Sequence, residues 1–344
     1  MTTTTTTEGE RQPATPVPRL DPLVRRLFVG VAFSALGSGL TMPFLYVYLS
    51  EVRGIPTSTV GLLFAWMGLL GFVGSPLGGT LIDRLGPRPV MLVGLVTEAI
   101  GVGSLALVQT TWQALVVASF ICLGTVGLYP ATTAMLTRLV PEPAREKTYG
   151  LQFMLMNAGL GVGGLVSSVL VHVGDVSSFQ RLYVIDALSY LAYIAVLVSL
   201  PRGTGSAPAA APAKEAQPGW GPVLRDRTLV RVVGLSVLVI TFGYAQVEAG
   251  LAAFTVDVAG MPPRALGWAF GANTAAIVLG QLVALRFIAG RRRSAMLALC
   301  AGTWSLSWAV IALSGAVDGW LTVALVVAGL GFFGLGETLW APLA

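Results

Sequence analysis

The sequence predicts an all-α integral membrane protein, and three observations carry that prediction. Apolar runs of about 20 residues recur from Leu27 to the end, each long enough to cross a hydrocarbon core of roughly 30 Å as a helix. The chain of 344 residues is 55% hydrophobic and only 11% charged, with a mean hydropathy of +0.78, so a soluble fold could not cover itself with polar groups. The runs also lack the period-two alternation that barrel strands of about 10 residues would show.

Residues 1–22 are Thr- and Pro-rich, polar and of low complexity, and are expected to form a disordered tail. No removable signal peptide is expected, because no short apolar region with a small-residue cleavage site precedes Leu27. The expected spans are 27–49, 60–82, 90–109, 113–135, 150–171, 182–200, 231–254, 266–288, 295–314 and 320–341. The Ala/Pro/Gly-rich segment 201–228 reads as a linker between two bundles. The expected domains are therefore a tail at 1–22, an N-terminal six-helix bundle at 23–200, the linker at 201–228 and a second bundle at 229–344.

Charge sets the expected orientation. Arg11, Arg19, Arg25, Arg26, Arg84, Arg88, Arg138, Arg145, Lys147, Arg202, Lys214, Arg225, Arg227, Arg231, Arg286 and the Arg291–Arg293 run all fall on one side. Arg53, Arg181 and Arg264 fall on the other. The basic side faces the cytoplasm, which puts the N-terminus and the linker there, in a multi-pass cell-membrane protein. Topology thus accounts for the net charge of +5 without a nucleic-acid partner. Cys122 and Cys300 lie inside apolar runs, no CxxC or His-rich spacing occurs, and His172 ends a span. Neither a disulfide framework nor a metal site is expected, no cofactor is implied, and no nucleophile–base pair suggests an enzyme.

The connection between spans 2 and 3 reads "GGTLIDRLGPRP" (78–89). It resembles the signature loop of the major facilitator superfamily, G-x-x-x-D-R-x-G-x-R, with Gly79, Asp83, Arg84, Gly86 and Arg88 at the matching positions. The resemblance covers the chain after residue 22 and includes "FQRLYVIDALSYL" (179–191) and the basic loop "ALRFIAGRRRS" (284–294). It implies a helical bundle of two halves that carries a small-molecule substrate by alternating access, as a monomer in the lipid bilayer. The family has twelve spans, so the expectation is six spans plus an incomplete second half of four, truncated after "GLGETLWAPLA". Asp83 is expected at the C-terminus of span 2, where the helix dipole disfavours a carboxylate, as part of a cytoplasmic gate. Gly79 is expected to allow close helix approach and Gly86 a tight turn, and Arg84 and Arg88 to meet Asp83 or lipid phosphate.

The intramembrane acids are Glu98, Asp186, Glu248 and Glu337. Each is costly at a span centre and therefore informative. Glu98 and Asp186 are expected to be structural, hydrogen-bonded to neighbouring helices. The resemblance places spans 7 and 10 at the central cavity, making Glu337 and Glu248 the candidates for proton coupling. Tyr46, Tyr129, Asn157, Tyr244, Gln246, Asn273 and Gln281 are candidates for the substrate path, and Trp112 and Trp320 for interfacial anchors. "NAGLGVGGLVSS" (157–168) resembles the glycine-rich motif of drug–proton antiporters, with Leu160 in the place of its proline; Ser119 stands near the place of the antiporters' span-4 arginine. The expected function is proton-driven efflux of amphipathic organic compounds. The alternatives are uptake of a metabolite such as a sugar or amino acid, and a non-transporting membrane protein.

Overall fold

The computed structural model describes residues 20–201, 203–204, 225–288 and 291–340. Most of the tail and the linker expected at 1–22 and 201–228 lies outside these residues. The described regular elements are all helical. In chain order they are α1 (Pro22–Val52), α2 (Thr57–Leu85), α3 (Pro87–Leu105), α4 (Thr111–Leu139), α5 (Glu142–Leu170) and α6 (Val176–Ser199). They continue as α7 (227–258), α8 (Ala265–Ile288), α9 (Arg293–Leu313) and α10 (Trp320–Trp340). Among the described residues, nine helices are long and apolar enough to cross a membrane, and the 24-residue α8 is of comparable length. The chain is an all-α, multi-pass membrane protein.

Most helices run past the apolar windows because local chemistry sets their ends. Asp21 accepts the Leu23 amide at 2.7 Å and Pro22 opens α1. Thr110 and Gln113 form a reciprocal capping box at α4, and Asp175 caps α6 through Ser177. Span 5 departs most from the expected 150–171: α5 starts at Glu142, directly after Pro141, and carries a charged first turn beyond the apolar stretch. Span 3 ends early, at Leu105, in a turn through residues 106–108. Pro43 interrupts α1 with a tighter turn at Met42–Phe44, since it supplies no amide hydrogen.

In the first half, α1 packs against α5 and α6, α3 lies between α4 and α6, and α2 leans on α4. In the second, α10 packs on α8 and α9. The halves meet along α5 and α8, and again where the end of α7 reaches the end of α1. Lipid removes the hydrophobic drive between helices, so small residues that admit close backbone contact decide which faces join. On α5, Gly159 and Gly163 serve α1, whereas Gly161 and Gly164 serve α8. A Cβ at Gly159 would lie 2.6 Å from Ala35 Cβ, and one at Gly163 would lie 2.7 Å from the Gly39 carbonyl carbon. On the other face, Gly161 meets Thr274, and a Cβ at Gly267 would lie 2.6 Å from Ser168 Cβ.

Gly163→Ala should therefore lower the thermal midpoint of the purified chain, by an overpacking cost of about 1–3 kcal/mol, because the opposing atoms are backbone and cannot rotate away. Gly150→Ala, in the same helix but facing open space, should be neutral or stabilising by about 0.5–1 kcal/mol. Equal midpoints for the two variants would remove the seam from the stability of the fold.

Candidate functional site

Glu337 sits on α10 beside two glycines that each admit a neighbouring helix. A Cβ at Gly334 would meet the Asn273 carbonyl at 2.5 Å and Ala276 Cβ at 3.1 Å, so α8 approaches there. Gly336 turns toward α9, where a Cβ would meet Trp304 and, at 2.8 Å, Thr303 Oγ1. The space beside both glycines is filled by neighbouring helices. Glu337 is thereby enclosed, at 5% exposure. Asn273 Nδ2 donates to Glu337 Oε2 at 2.7 Å, and the Tyr244 hydroxyl of α7 is a second hydrogen-bond partner.

Aromatic rings wall this carboxyl. Trp304 and Phe333 stack with centroids 4.9 Å apart and planes 6° apart, and Tyr244 lies 5.9 Å from Phe333. Trp304 Nε1 donates to the Phe333 carbonyl at 3.2 Å, and Trp308 Nε1 donates to the Gly243 carbonyl at 3.1 Å. That carbonyl lies in the widened, π-helical stretch Ile240–Tyr244, where the ordinary ladder is disturbed and an acceptor becomes available. Trp304, Trp308 and Phe333 were not among the expected site residues. The two tryptophans, four residues apart in an apolar span, were the sequence signal for a shared face.

Of the expected path residues, Tyr244 and Asn273 join Glu337, and the others do not. Tyr46 lies at the far end of α1, buried, with its hydroxyl on Asp257 of α7 and 3.4 Å from Thr57 Oγ1. Asp257, which no motif marked, thus helps join the two halves. Asn157 bonds the Phe153 carbonyl of its own helix, while its backbone carbonyl accepts from Thr274 at 2.9 Å in the α5–α8 seam. Gln246 is exposed on α7, and Tyr129 is 52% exposed on α4. Gln281 Oε1 is buried without a hydrogen-bond partner among the described residues. The backbone of Glu248 is helical; its side chain lies outside what the structure describes. Ser119 accepts from Trp66 Nε1 at 2.8 Å, tying α2 to α4. Glu98 and Asp186 are hydrogen-bonded to other helices, through Thr125 and Thr41.

The 78–89 loop forms the turn between α2 and α3. Gly86 takes φ +85°, a left-handed value that reverses the chain within one residue, and Pro87 starts α3 at once. Gly79 faces open space; the close approach to α4 is made by Gly74 and Gly78, whose added Cβ atoms would each lie 3.1 Å from Val126. Those two glycines are four residues apart on one face, whereas Gly79 is rotated about 100° away. Asp83 and Arg84 are exposed. The expected partners of Arg88 were Asp83 or lipid phosphate, and its observed partners are different. Its guanidinium donates to the carbonyls of Leu197 (3.1 Å), Val198 (3.2 Å), Leu200 (2.9 Å) and Pro201 (2.6 Å), at the end of α6. A helix C-terminus offers diverging, unsatisfied carbonyls and a partial negative charge, which a forked cation with several donors satisfies.

Arg88→Lys keeps the charge and loses the fork. It should raise amide exchange in the last turn of α6 by about tenfold, equivalent to roughly 1.4 kcal/mol of local stability, with little change in α4. Exchange in residues 196–200 that matches the parent chain would show the cap to be dispensable.

The comparisons with known proteins agree with this architecture. The sequence pattern of the Major Facilitator Superfamily matches residues 27–344. The quinolone resistance protein NorA of Staphylococcus aureus is 26% identical over 243 residues, 69% of this chain and 60% of NorA. The uncharacterized MFS-type transporter YqjV of Bacillus subtilis is 24% identical over 229 residues, 66% of this chain and 55% of that protein. The chain thus spans about 60% of the length of NorA. In fold it is similar to the nucleoside transporter NupG, with a TM-score of 0.70 at 14% identity over 94% of this chain and 81% of that one. A POT family transporter in complex with 5-aminolevulinic acid gives 0.65 at 16% identity, over 93% and 82%. Helix content, the glycine-bearing turn of the 78–89 loop and the match across residues 27–344 converge, and the chain belongs to the Major Facilitator Superfamily.

Proposed function

We propose that this chain is a carrier, not an enzyme, and that it moves amphipathic organic compounds out of the cell by alternating access, with protons as the coupling ion. The observation that carries this reading is Glu337, an enclosed carboxyl whose two hydrogen-bond partners come from other helices of the second half. Asn273 Nδ2 only donates, whereas the Tyr244 hydroxyl can donate or accept. Tyr244 can therefore donate to the ionised carboxylate and accept from the neutral acid. Neither state orphans a partner, so a proton can be taken up and released without dismantling the site. Tyr244 is 38% exposed and offers an aromatic face beside the carboxyl to a flat organic substrate. Similarity to NorA, a quinolone resistance protein, supports efflux as the direction.

In this reading the N-terminus and the 201–228 linker are cytoplasmic, and the two functional units are 23–200 and 229–344. Gly79, Asp83, Arg84, Gly86 and Arg88 form the cytoplasmic gate: Gly86 sets the turn, Arg88 ties it to the end of α6, and Asp83 and Arg84 present charge at the exposed surface. Glu248 is the second candidate for proton coupling.

The chain reconstituted in proteoliposomes, with a fluorescent lipophilic cation as substrate, tests the mechanism. Under an imposed pH gradient, Glu337→Gln should abolish gradient-driven accumulation while substrate exchange without a gradient persists. Gradient-driven accumulation equal to the parent would remove Glu337 from proton coupling. Orientation has its own test. Single cysteines in 201–228 and in 172–180, on a background lacking Cys122 and Cys300, should react with an impermeant maleimide from opposite sides of intact cells. Reaction of both from outside contradicts the proposed topology.

A further inference from the structure

Two acids outside the Glu337 site are buried in the first half: Glu98 of α3, 3% exposed, and Asp186 of α6, 1% exposed. No ion pair reaches either carboxyl among the described residues. They stand on α3 and α6, which pack against each other.

Each carboxyl contacts a threonine whose single hydroxyl hydrogen has a second acceptor in reach. Thr125 Oγ1 touches Glu98 Oε1 and lies 3.0 Å from the Ile121 carbonyl oxygen. Thr41 Oγ1 lies 2.6 Å from Asp186 Oδ2 and 3.3 Å from the Ser38 carbonyl oxygen. Ser189 repeats the pattern, with its Oγ 2.7 Å from the Asp186 carbonyl oxygen and 3.3 Å from Oδ1. Carbonyls and ionised carboxylates only accept, so beside an ionised carboxylate the one hydroxyl hydrogen is shared between two acceptors or leaves the carbonyl to its backbone amide, as Ser38 has from Met42. A proton on the carboxyl gives each threonine contact its own hydrogen: the acid donates to the threonine oxygen and the threonine donates to the carbonyl, while Ser189 keeps its hydrogen shared between Oδ1 and the Asp186 carbonyl. Among the described residues, Glu98 Oε2 is buried without a hydrogen-bond partner, a state far less costly for a neutral acid than for a carboxylate.

We propose that Glu98 and Asp186 form a proton-binding pair inside the first half of the protein, each holding its proton as donor to a threonine, Glu98 to Thr125 and Asp186 to Thr41. Thr125 supplies the approach to Glu98. Exposed Val116, Phe120 and Leu123 give α4 one apolar outer face, and exposed Thr125 and Tyr129 stand on the opposite side of the same helix. The other titratable groups facing the pair are Cys122 beside Glu98, Tyr183 and Tyr190 from α6, and Arg53, which acts on Tyr183. Arg53 itself is held by Tyr48 at 2.8 Å and by the Ala106 carbonyl at 3.0 Å. The pair is separate from Glu337 and does not depend on the role given to that residue.

Infrared spectra of the full chain in lipid nanodiscs at neutral pH test the pair through the carbonyl stretch of protonated carboxyls. Glu98→Gln and Asp186→Asn should each lose one carboxyl's share of that band, and Glu337→Gln should leave both shares in place. Thr125→Val and Thr41→Val, which keep the acids and remove their acceptors, should shift the corresponding components to higher frequency, so the test survives if an acid variant does not fold. A band unchanged in all four of the Glu98, Asp186, Thr125 and Thr41 variants means that both acids are ionised, and overturns the proposal.

Discussion

Close backbone contact along α5 is the constraint on which the rest of this structure depends. One helix must join the first half to the second while holding α1 in the middle of its own half. It does so by dividing its glycines between two faces, Gly159 and Gly163 for α1 and Gly161 and Gly164 for α8. Lipid tails are as apolar as leucine, so leucine-rich surfaces gain little by meeting one another. Contact area and interhelical hydrogen bonds decide instead. The Thr274 hydroxyl bond to the Asn157 carbonyl, 2.9 Å long, is possible because Gly161 lets α8 come that near.

The same scarcity of water governs the polar groups. Glu337, Glu98 and Asp186 have neutral hydrogen-bond partners contributed by other helices. A neutral hydrogen-bond partner satisfies a carboxyl without bringing a second charge into lipid, and it also joins helices. Each acid therefore serves packing. At the opposite end from the 78–89 loop, Tyr46 and Asp257 join α1 to α7 by the same means. Charge is used directly where helices end. Arg88 gathers the last carbonyls of α6, and Asp175 holds the first turn of that helix with Arg181 3.3 Å away.

The sequence by itself determined the class, the order of the described helices and the turn at Gly86. Those properties are local: about 20 apolar residues make a span wherever they sit, and a glycine flanked by Pro87 makes a turn with little help from neighbours. Helix ends were legible as well, at Asp21, Thr110 and Asp175, though hydropathy alone placed the boundary of α5 too late. The tertiary structure decided which faces meet. A shift of one residue turns a helical side chain by about 100°, so the motif could not say that Gly78 rather than Gly79 touches α4. Nor could it assign Arg88 to the end of α6, which lies more than a hundred residues further along the chain. Glu337 was marked by its cost in a membrane. Its partners Asn273 and Tyr244 were named singly, and only the packing of α7, α8 and α10 brought the three together. Asp257 carried no sequence signature of its own, and the spacing of Trp304 and Trp308 marked a shared face without saying what it meets, because both roles exist only once the partner helix is in place.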